Sequence, residues 1–577
     1  MAFTVNGVVQ VLIFAALVLL VTKPLGLYIY HVLRGDRTWL SPALVPVERI
    51  LYRISGVNEQ EEHNWLRYTI NMLVFTAAGL LLLYLIQRTQ QLLPLNPQGQ
   101  LPVPPSTAFN TAASFSTNTN WQSYGGEQTM SYFTQMVGLA FHNFSSAAYG
   151  LAIAIAVTRG FTRRGTQHIG NFYVDLTRSI LYILLPFSII IALFYVSQGV
   201  IQNFKPYDVV TSLEGFKQTI GQGPLASQEA IKELGNNGGG FFNANSAHPF
   251  ENPNALTNFV QLFSEFAIPA ALFWVFGKMA SDTRQGWTLW IFSIILFFVG
   301  IGVAMPAEQL GNPQLARYHI DQQVSNVQSG GNMEGKEVRF GITDSVLFAV
   351  TTTDTSTGAV NSSHDSYTPL GGIVPLVNIA LGELVFGGIG AGLYDLLVFA
   401  VIAVFIAGLM VGRTPEYLGK KVERKEMMMA ALAILILPAS ILGFSAIASV
   451  IPQGLAGVGN AGPHGLSEIL YAFTSANGNN GSAFGGLTVT NDFWEWSLGM
   501  AMLIGRLMFV IPILALAGSL SNKRIIPAGL GTFPTTGPLW ISLLVGVVII
   551  VGALTYFPAY ALGPIVEHLL LLSGKTF

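Results

Sequence analysis

Asn477-Gly478-Asn479-Asn480-Gly481-Ser482-Ala483-Phe484, preceded by Ser467-Glu468 and enclosed by apolar runs near 428–450 and 494–517, decides how this chain folds. A helix-capping residue type, room for a short helix, and then a cluster of Asn and Gly lie between two stretches long enough to cross a bilayer. The same order recurs three times upstream. Ser106-Thr107-Ala108-Phe109 leads to Thr117-Asn118-Thr119-Asn120-Trp121-Gln122, and Ser227-Gln228-Glu229-Ala230 leads to Asn236-Asn237-Gly238-Gly239-Gly240-Phe241-Phe242. Thr343-Asp344-Ser345 leads to Thr355-Ser356-Thr357-Gly358-Ala359-Val360-Asn361. One such stretch between two spans is an ordinary turn. Four in register, each behind a short helix with a capping residue at its start, are a repeat.

Outside these loops the chain is built for lipid. It has 577 residues, 51% hydrophobic and only 10% Asp, Glu, Lys or Arg, against about a quarter charged in a soluble domain. Ten apolar stretches, each needing about 20 residues to span, lie near 7–30, 66–87, 129–158, 175–198, 258–277, 287–306, 371–412, 428–450, 494–517 and 540–562. The run Val8 to Val21 lacks the basic start and small-residue cleavage pattern of a removable signal and reads as a permanent first span. The seventh stretch is too long for one helix. It contains Glu383 and the run Val385-Phe386-Gly387-Gly388-Ile389-Gly390-Ala391-Gly392, so a broken helix is expected there.

Basic residues set the orientation. Arg34, Arg37, Arg49, Arg53, Arg159, Arg163, Arg164, Lys278, Arg284, Arg413, Lys420, Lys421, Arg424, Lys425, Lys523 and Arg524 crowd the loops of one side. The positive-inside rule puts those loops in the cytoplasm and both termini outside. These loops are short, and no Gly-rich phosphate cradle ending in Lys-Ser/Thr occurs, so no ATP site is expected on this chain. The net charge of -2 argues against a nucleic-acid partner, and the absence of Cys removes disulfides, thiolate metal sites and cysteine nucleophiles.

Four re-entrant loops in parallel orientation suit one task well. A potassium filter replaces the ion's hydration shell with rings of backbone carbonyls. Gly allows the dihedrals that aim carbonyls at one axis, and the C-termini of the short helices present partial negative charge to a cation. Arg506 lies in the middle of the ninth span, where a charge costs about 3 kcal/mol in lipid. It is expected to face the pore below the filter and repel cations, with a structural salt bridge as the alternative. Arg413 reads as an interfacial anchor, and the stretch holding Glu383, Gly387 and Gly388 as a barrier on the cytoplasmic side or as close helix packing. His248, His364 and His464 lack metal-ligand spacing and read as hydrogen-bonding residues.

Longer strings in these loops closely resemble the KdpA family, the potassium-binding subunits of the bacterial Kdp potassium-transporting P-type ATPase. They are Thr117 to Glu127, Gly238 to Pro253, Gly358 to Asp365, Gly412 to Lys421 and Asn477 to Phe484, and the resemblance runs through nearly the whole chain. It implies an all-α polytopic fold of the potassium-transporter superfamily with ten transmembrane helices and four parallel span–pore helix–span repeats. The segments would be 1–63 (leading helix and cytoplasmic loop), 64–160, 171–280, 286–413 and 427–520 (pore repeats), and 536–577 (trailing helix). The resemblance implies a non-hydrolytic subunit that hands potassium to a P-type ATPase subunit (KdpB), with single-span partners KdpC and KdpF, in the bacterial cytoplasmic (inner) membrane. By resemblance the filter would comprise Asn118, Thr119, Asn120 and Gln122; Gly238, Gly239 and Gly240; Ser356, Thr357 and Gly358; Asn479, Asn480 and Gly481. Asp354 departs from the small neutral residue of the family and reads as a loop cap, with a carboxylate that raises local cation concentration as the alternative. A stand-alone channel-like or symport potassium transporter of the same superfamily is the alternative.

Overall fold

The computed structural model describes residues 4–382, 384–527, 529 and 532–575; Glu383 lies outside them. Among the described residues, ten helices are long and apolar enough to cross a membrane: Val5–Arg34, Trp65–Leu92, Thr134–Thr162, Phe172–Ser197, Ala255–Met279, Thr283–Arg317, Ala391–Val411, Arg424–Ala448, Asp492–Ser521 and Pro538–Leu572. Each covers or overlaps one of the expected stretches. The expected break in the seventh is real: the short apolar helix Pro369–Ala380 precedes Ala391–Val411, with turns at 381–382, 384–386 and 388–390 between them.

Burial sorts the spans into two layers. The third, fifth, seventh and ninth are 67–83% buried within the protein, and the remaining six only 22–56%. The inner four are the spans reached after the Gly/Asn loops, the seventh by way of Pro369–Ala380 and the break. Small residues allow the layers to meet closely. Gly26 of the first span faces the Ala271 carbonyl and Trp274 of the fifth, and Gly518 of the ninth lies on Trp65 of the second.

Short helices precede the loops at Pro105–Ser116, Leu225–Leu234, Gly341–Asp354 and Gly462–Asn477. The expected caps do not form. Ser106, Ser227, Thr343 and Ser467 all sit inside their helices, and none of the four starts carries a side-chain cap. Proline in the first turn of two of these helices has no N–H to satisfy. In the other two, backbone carbonyls take the first donors: the Ala226 N–H donates to Ile201 (3.0 Å) and the Gly341 N–H to Glu337 (2.9 Å).

The connections separate into two groups. The basic loops meet one another: His63 pairs with Gly170 across a short antiparallel ladder, Arg163 binds Glu62 (2.8 Å), Arg178 binds Glu48 (2.9 Å) and Lys523 binds Glu426 (2.7 Å). The long loops meet at the other end, where the Asp365 N–H donates to Phe484 (2.8 Å) and the Tyr207 hydroxyl to the Glu127 carbonyl (2.9 Å).

Candidate ion-binding site

The four loops share one backbone pattern counted from the helix caps Thr117, Gly235, Thr355 and Gly478. The next residue is left-handed in every case: Asn118 (φ 68°), Asn236 (48°), Ser356 (61°) and Asn479 (58°). Two residues later the left-handed conformation returns at Asn120 (57°), Gly238 (83°), Gly358 (69°) and Gly481 (97°). Between them, Thr119, Asn237, Thr357 and Asn480 each donate their N–H back into the helix, to the carbonyls of Ser114, Lys232, Thr352 and Ser475 at 2.9–3.1 Å. Alternating the hand of successive residues turns successive carbonyls toward the same side, which an ordinary strand or turn does not do.

The loops close on one another in a ring. Asn118 Nδ2 donates to the Asn236 carbonyl (2.8 Å), joining the first loop to the second. A side chain on Gly238 would strike the Thr357 carbonyl, and one on Gly358 the Asn480 carbonyl. Ser356 Oγ donates to the Asn479 carbonyl (3.2 Å), and Asn479 Nδ2 returns to Thr119 Oγ1 (2.8 Å). Side chains behind the ring hold it: Asn120 Nδ2 donates to Asn143 Oδ1 (2.7 Å) and Ser146 Oγ to Asn118 Oδ1 (2.7 Å), both from the third span. Ser114 and Ser475 tether the outgoing limbs through the Trp121 and Ser482 carbonyls (2.8 and 2.7 Å).

What is left unspent is informative. The carbonyl oxygens of Thr119 and Asn120, Asn237 and Gly238, Thr357 and Gly358, and Asn480 and Gly481 accept no hydrogen bond among the described residues. They occupy the same two positions in every loop, within buried backbone, where unmet carbonyls are costly. A cation that trades water for carbonyls would satisfy them.

Asn118, Thr119, Asn120, Gly238, Ser356, Thr357, Gly358, Asn479, Asn480 and Gly481 all fall within this pattern. Gly239 and Gly240 lie beyond it, because the second loop begins earlier. The equivalents of Asn479-Asn480-Gly481 are Asn236-Asn237-Gly238, and the identical Asn-Asn-Gly spelling was the available signal. Gln122 does not line the ring with its amide: Nε2 donates to the Gly240 carbonyl and Oε1 accepts the Gly240 N–H, both at 3.0 Å. Asp354 ends the third short helix, 1% exposed, with Oδ2 unpartnered; it does not cap the loop.

Above the ring, a cavity of about 650 Å³ opens between the long loops and is lined by Trp121, Gln122, Asn243, Ser362 and Glu468 among others. Below it lies the broken span. A side chain on Gly388 would come within 2.8 Å of Ser356 Cβ, so the break packs against the third loop itself. Phe386 (φ 49°), fully buried, anchors the break against Phe266, Phe273 and Trp290. Gly390 (φ 95°) lies against the backbone of Gly150 in the third span, leaving no room for a Cβ. Arg506 sits beside this contact in a π-helical turn, 6% exposed; its Nη1 donates to the Tyr394 hydroxyl (3.2 Å), and its guanidinium lies 4.9 Å from the Tyr149 ring. Arg506 makes no ion pair among the described residues. Arg413 is exposed at the end of the seventh span and donates to the Thr532 carbonyl (3.1 Å).

The histidines are used structurally. His364 Nδ1 lies 2.7 Å from the Tyr471 hydroxyl, and His248 stacks on Phe242. His464 stands between two carboxylates, Nε2 at 2.8 Å from Asp365 and Nδ1 at 2.7 Å from Glu567. Burial disfavours its charge, but the hydrogen bonds to Asp365 and Glu567 outweigh that and push it up to about 10.

The profile of the family described as KdpA, potassium-transporting ATPase A subunit, matches residues 12–569. A potassium-transporting ATPase potassium-binding subunit from Solibacter usitatus is 58% identical over 575 residues, covering all of both chains. Proteins of the same name from Methylorubrum extorquens (58%, 100% of this chain and 99% of that one) and Koribacter versatilis (56%, 99% and 100%) are similar over their full length. Among solved structures, the potassium transporter TrkH from Vibrio parahaemolyticus aligns with a TM-score of 0.49 and 14% identity, over 86% of this chain and 96% of that one.

Proposed function

The chain belongs to the KdpA family of potassium-transporting ATPase A subunits, and on that footing we propose that its four loops form a selectivity filter that takes potassium from outside the cell and passes it to a P-type ATPase subunit. The observation that carries this reading is the set of unspent carbonyls, two from each loop at equivalent positions, in a closed ring of parallel loops. Potassium needs oxygen ligands to replace its water, and among the described residues these oxygens have no other partner.

The units of the reading are a leading segment 1–63, pore repeats 64–160, 171–280, 286–413 and 427–520, and a trailing segment 536–577. Potassium collects in the outer cavity, where Glu468 and the carbonyl-rich loops favour cations, and sheds water at the ring. The glycine break and Arg506 lie directly beneath and close the straight route to the cytoplasm by sterics and by charge. The ion therefore leaves sideways toward the ATPase partner (KdpB), with KdpC and KdpF completing the complex; this chain itself carries no ATP site. The crowding of basic residues into one group of loops supports a cytoplasmic-membrane orientation with both termini outside.

The test is growth at micromolar potassium in cells stripped of their own uptake systems. Growth that requires the partner subunits, and is lost on Gly238→Asp, supports a pump subunit with a working filter. Growth with this chain alone would make it an autonomous transporter and refute the closed cytoplasmic exit.

A further inference from the structure

The second loop is tethered differently from the others. Three residues before each helix cap stand Ser114, Lys232, Thr352 and Ser475, and each accepts the same backbone N–H. In the first and fourth repeats a serine hydroxyl at this position also holds the outgoing limb. In the second repeat the residue is a lysine, 1% exposed, in a helix that dips among buried neighbours.

Its ammonium is fully engaged. Lys232 Nζ lies 2.9 Å from Glu229, 3.3 Å from Glu233 and 3.1 Å from Glu251, and donates to Asn245 Oδ1 (2.9 Å) and Ser246 Oγ (3.1 Å). Asn245 is itself left-handed (φ 55°), and its Nδ2 donates to the Gly239 carbonyl at 2.6 Å. Glu251 accepts the Phe242 N–H (2.6 Å) with its other oxygen. Burying an ammonium is expensive even when paired, and a hydroxyl suffices as a tether in two sister repeats. The charge therefore does something that holding the limb does not require.

We propose that Lys232, acting through Asn245, is a positioning pair that sets which cation the second loop accepts. The inference rests on the filter reading above. The ammonium polarises the Asn245 amide, whose N–H then holds the Gly239 carbonyl away from the ion. Only the Asn237 and Gly238 carbonyls are left to coordinate, on a limb too stiff to open for a larger ion. Releasing Gly239 loosens that limb and admits rubidium.

The experiment is potassium- and rubidium-stimulated ATP hydrolysis by the assembled complex with its partner subunits. Asn245→Asp keeps the acceptor facing Lys232 but deletes the N–H aimed at Gly239; Asn245→Gly removes the side chain while suiting the left-handed backbone. Both are expected to lower the ratio of rubidium to potassium half-saturation roughly five- to tenfold, as loss of one hydrogen bond implies. Lys232→Gln, which keeps a donor without the charge, is expected to move the ratio in the same direction. A merely structural role would lower thermal stability and weaken both cations equally, leaving the ratio at its native value; that result overturns the proposal. Should Asn245→Asp fail to assemble, Asn245→Gly decides. A native complex that potassium does not stimulate refutes the filter reading and this inference together, whereas a native response with unchanged ratios refutes only the inference.

Discussion

Gly481→Ala tests the ring most directly. Gly481 has φ 97°, and a Cβ there would run into the carbonyl of Thr119 in the adjoining loop, with the Thr119 carbonyl carbon 2.9 Å away. An L-residue in the left-handed region costs about 1–2 kcal/mol, and overpacking against backbone that cannot swing aside adds about 1–3 kcal/mol. The sum is roughly 2–5 kcal/mol. If it falls on the ion-bound geometry, the half-saturating potassium concentration rises by roughly thirtyfold to several thousandfold. The assay is potassium-stimulated ATP hydrolysis by the assembled complex, with Gly443→Ala as the control because that glycine faces open space. Native potassium dependence in Gly481→Ala, with the protein assembled, would refute the claim that the Thr119 carbonyl and its counterparts bind the ion.

Arg506→Ala removes the charge beneath the break; loss of coupled uptake, or a potassium leak independent of the partner subunits, is expected, and unaltered coupled growth would deny Arg506 its part. Asp175→Asn breaks the buried pair in which Arg159 Nη1 and Nη2 reach the two Asp175 oxygens at 2.6 and 2.8 Å, and it is expected to cost about 3–5 kcal/mol of stability in a thermal melt while leaving potassium half-saturation native. His464, with a raised pKa, links Asp365 to Glu567 at the end of the protein opposite the basic loops. Its stabilisation is fully present below the ordinary histidine pKa of 6.5 and is lost as pH rises through about 10. The Tm deficit of His464→Gln is therefore expected to be largest at about pH 6 and to fade as pH rises toward 10, and a deficit independent of pH would refute the paired imidazolium.

The ten spans, the break in the seventh and the fourfold recurrence are written in the amino-acid sequence, because span length and apolarity are properties of consecutive residues and need no partner to be recognised. The side on which Arg and Lys gather is equally linear. The loops are different. Gly, Asn, Ser and Thr carry no periodicity, so apart from the Asn-Asn-Gly spelling shared with the fourth loop nothing local distinguishes Asn236-Asn237-Gly238 from Gly238-Gly239-Gly240 as the ring segment; contacts between Asn118 and Asn236, and between Gly238 and Thr357, choose the first. The helices start upstream of Ser106, Ser227, Thr343 and Ser467 because first-turn prolines in two of them and the Ile201 and Glu337 carbonyls in the other two meet the needs that capping hydroxyls would have met. Lys232 reads as one more basic residue of an outer loop, yet the fold buries it among Glu229, Glu233 and Glu251. Composition and run length determine that this chain crosses the membrane ten times around four loops. Which carbonyls those loops leave open is decided only when residues more than a hundred positions apart close the ring, since a backbone oxygen's availability depends on every donor the tertiary fold brings within reach.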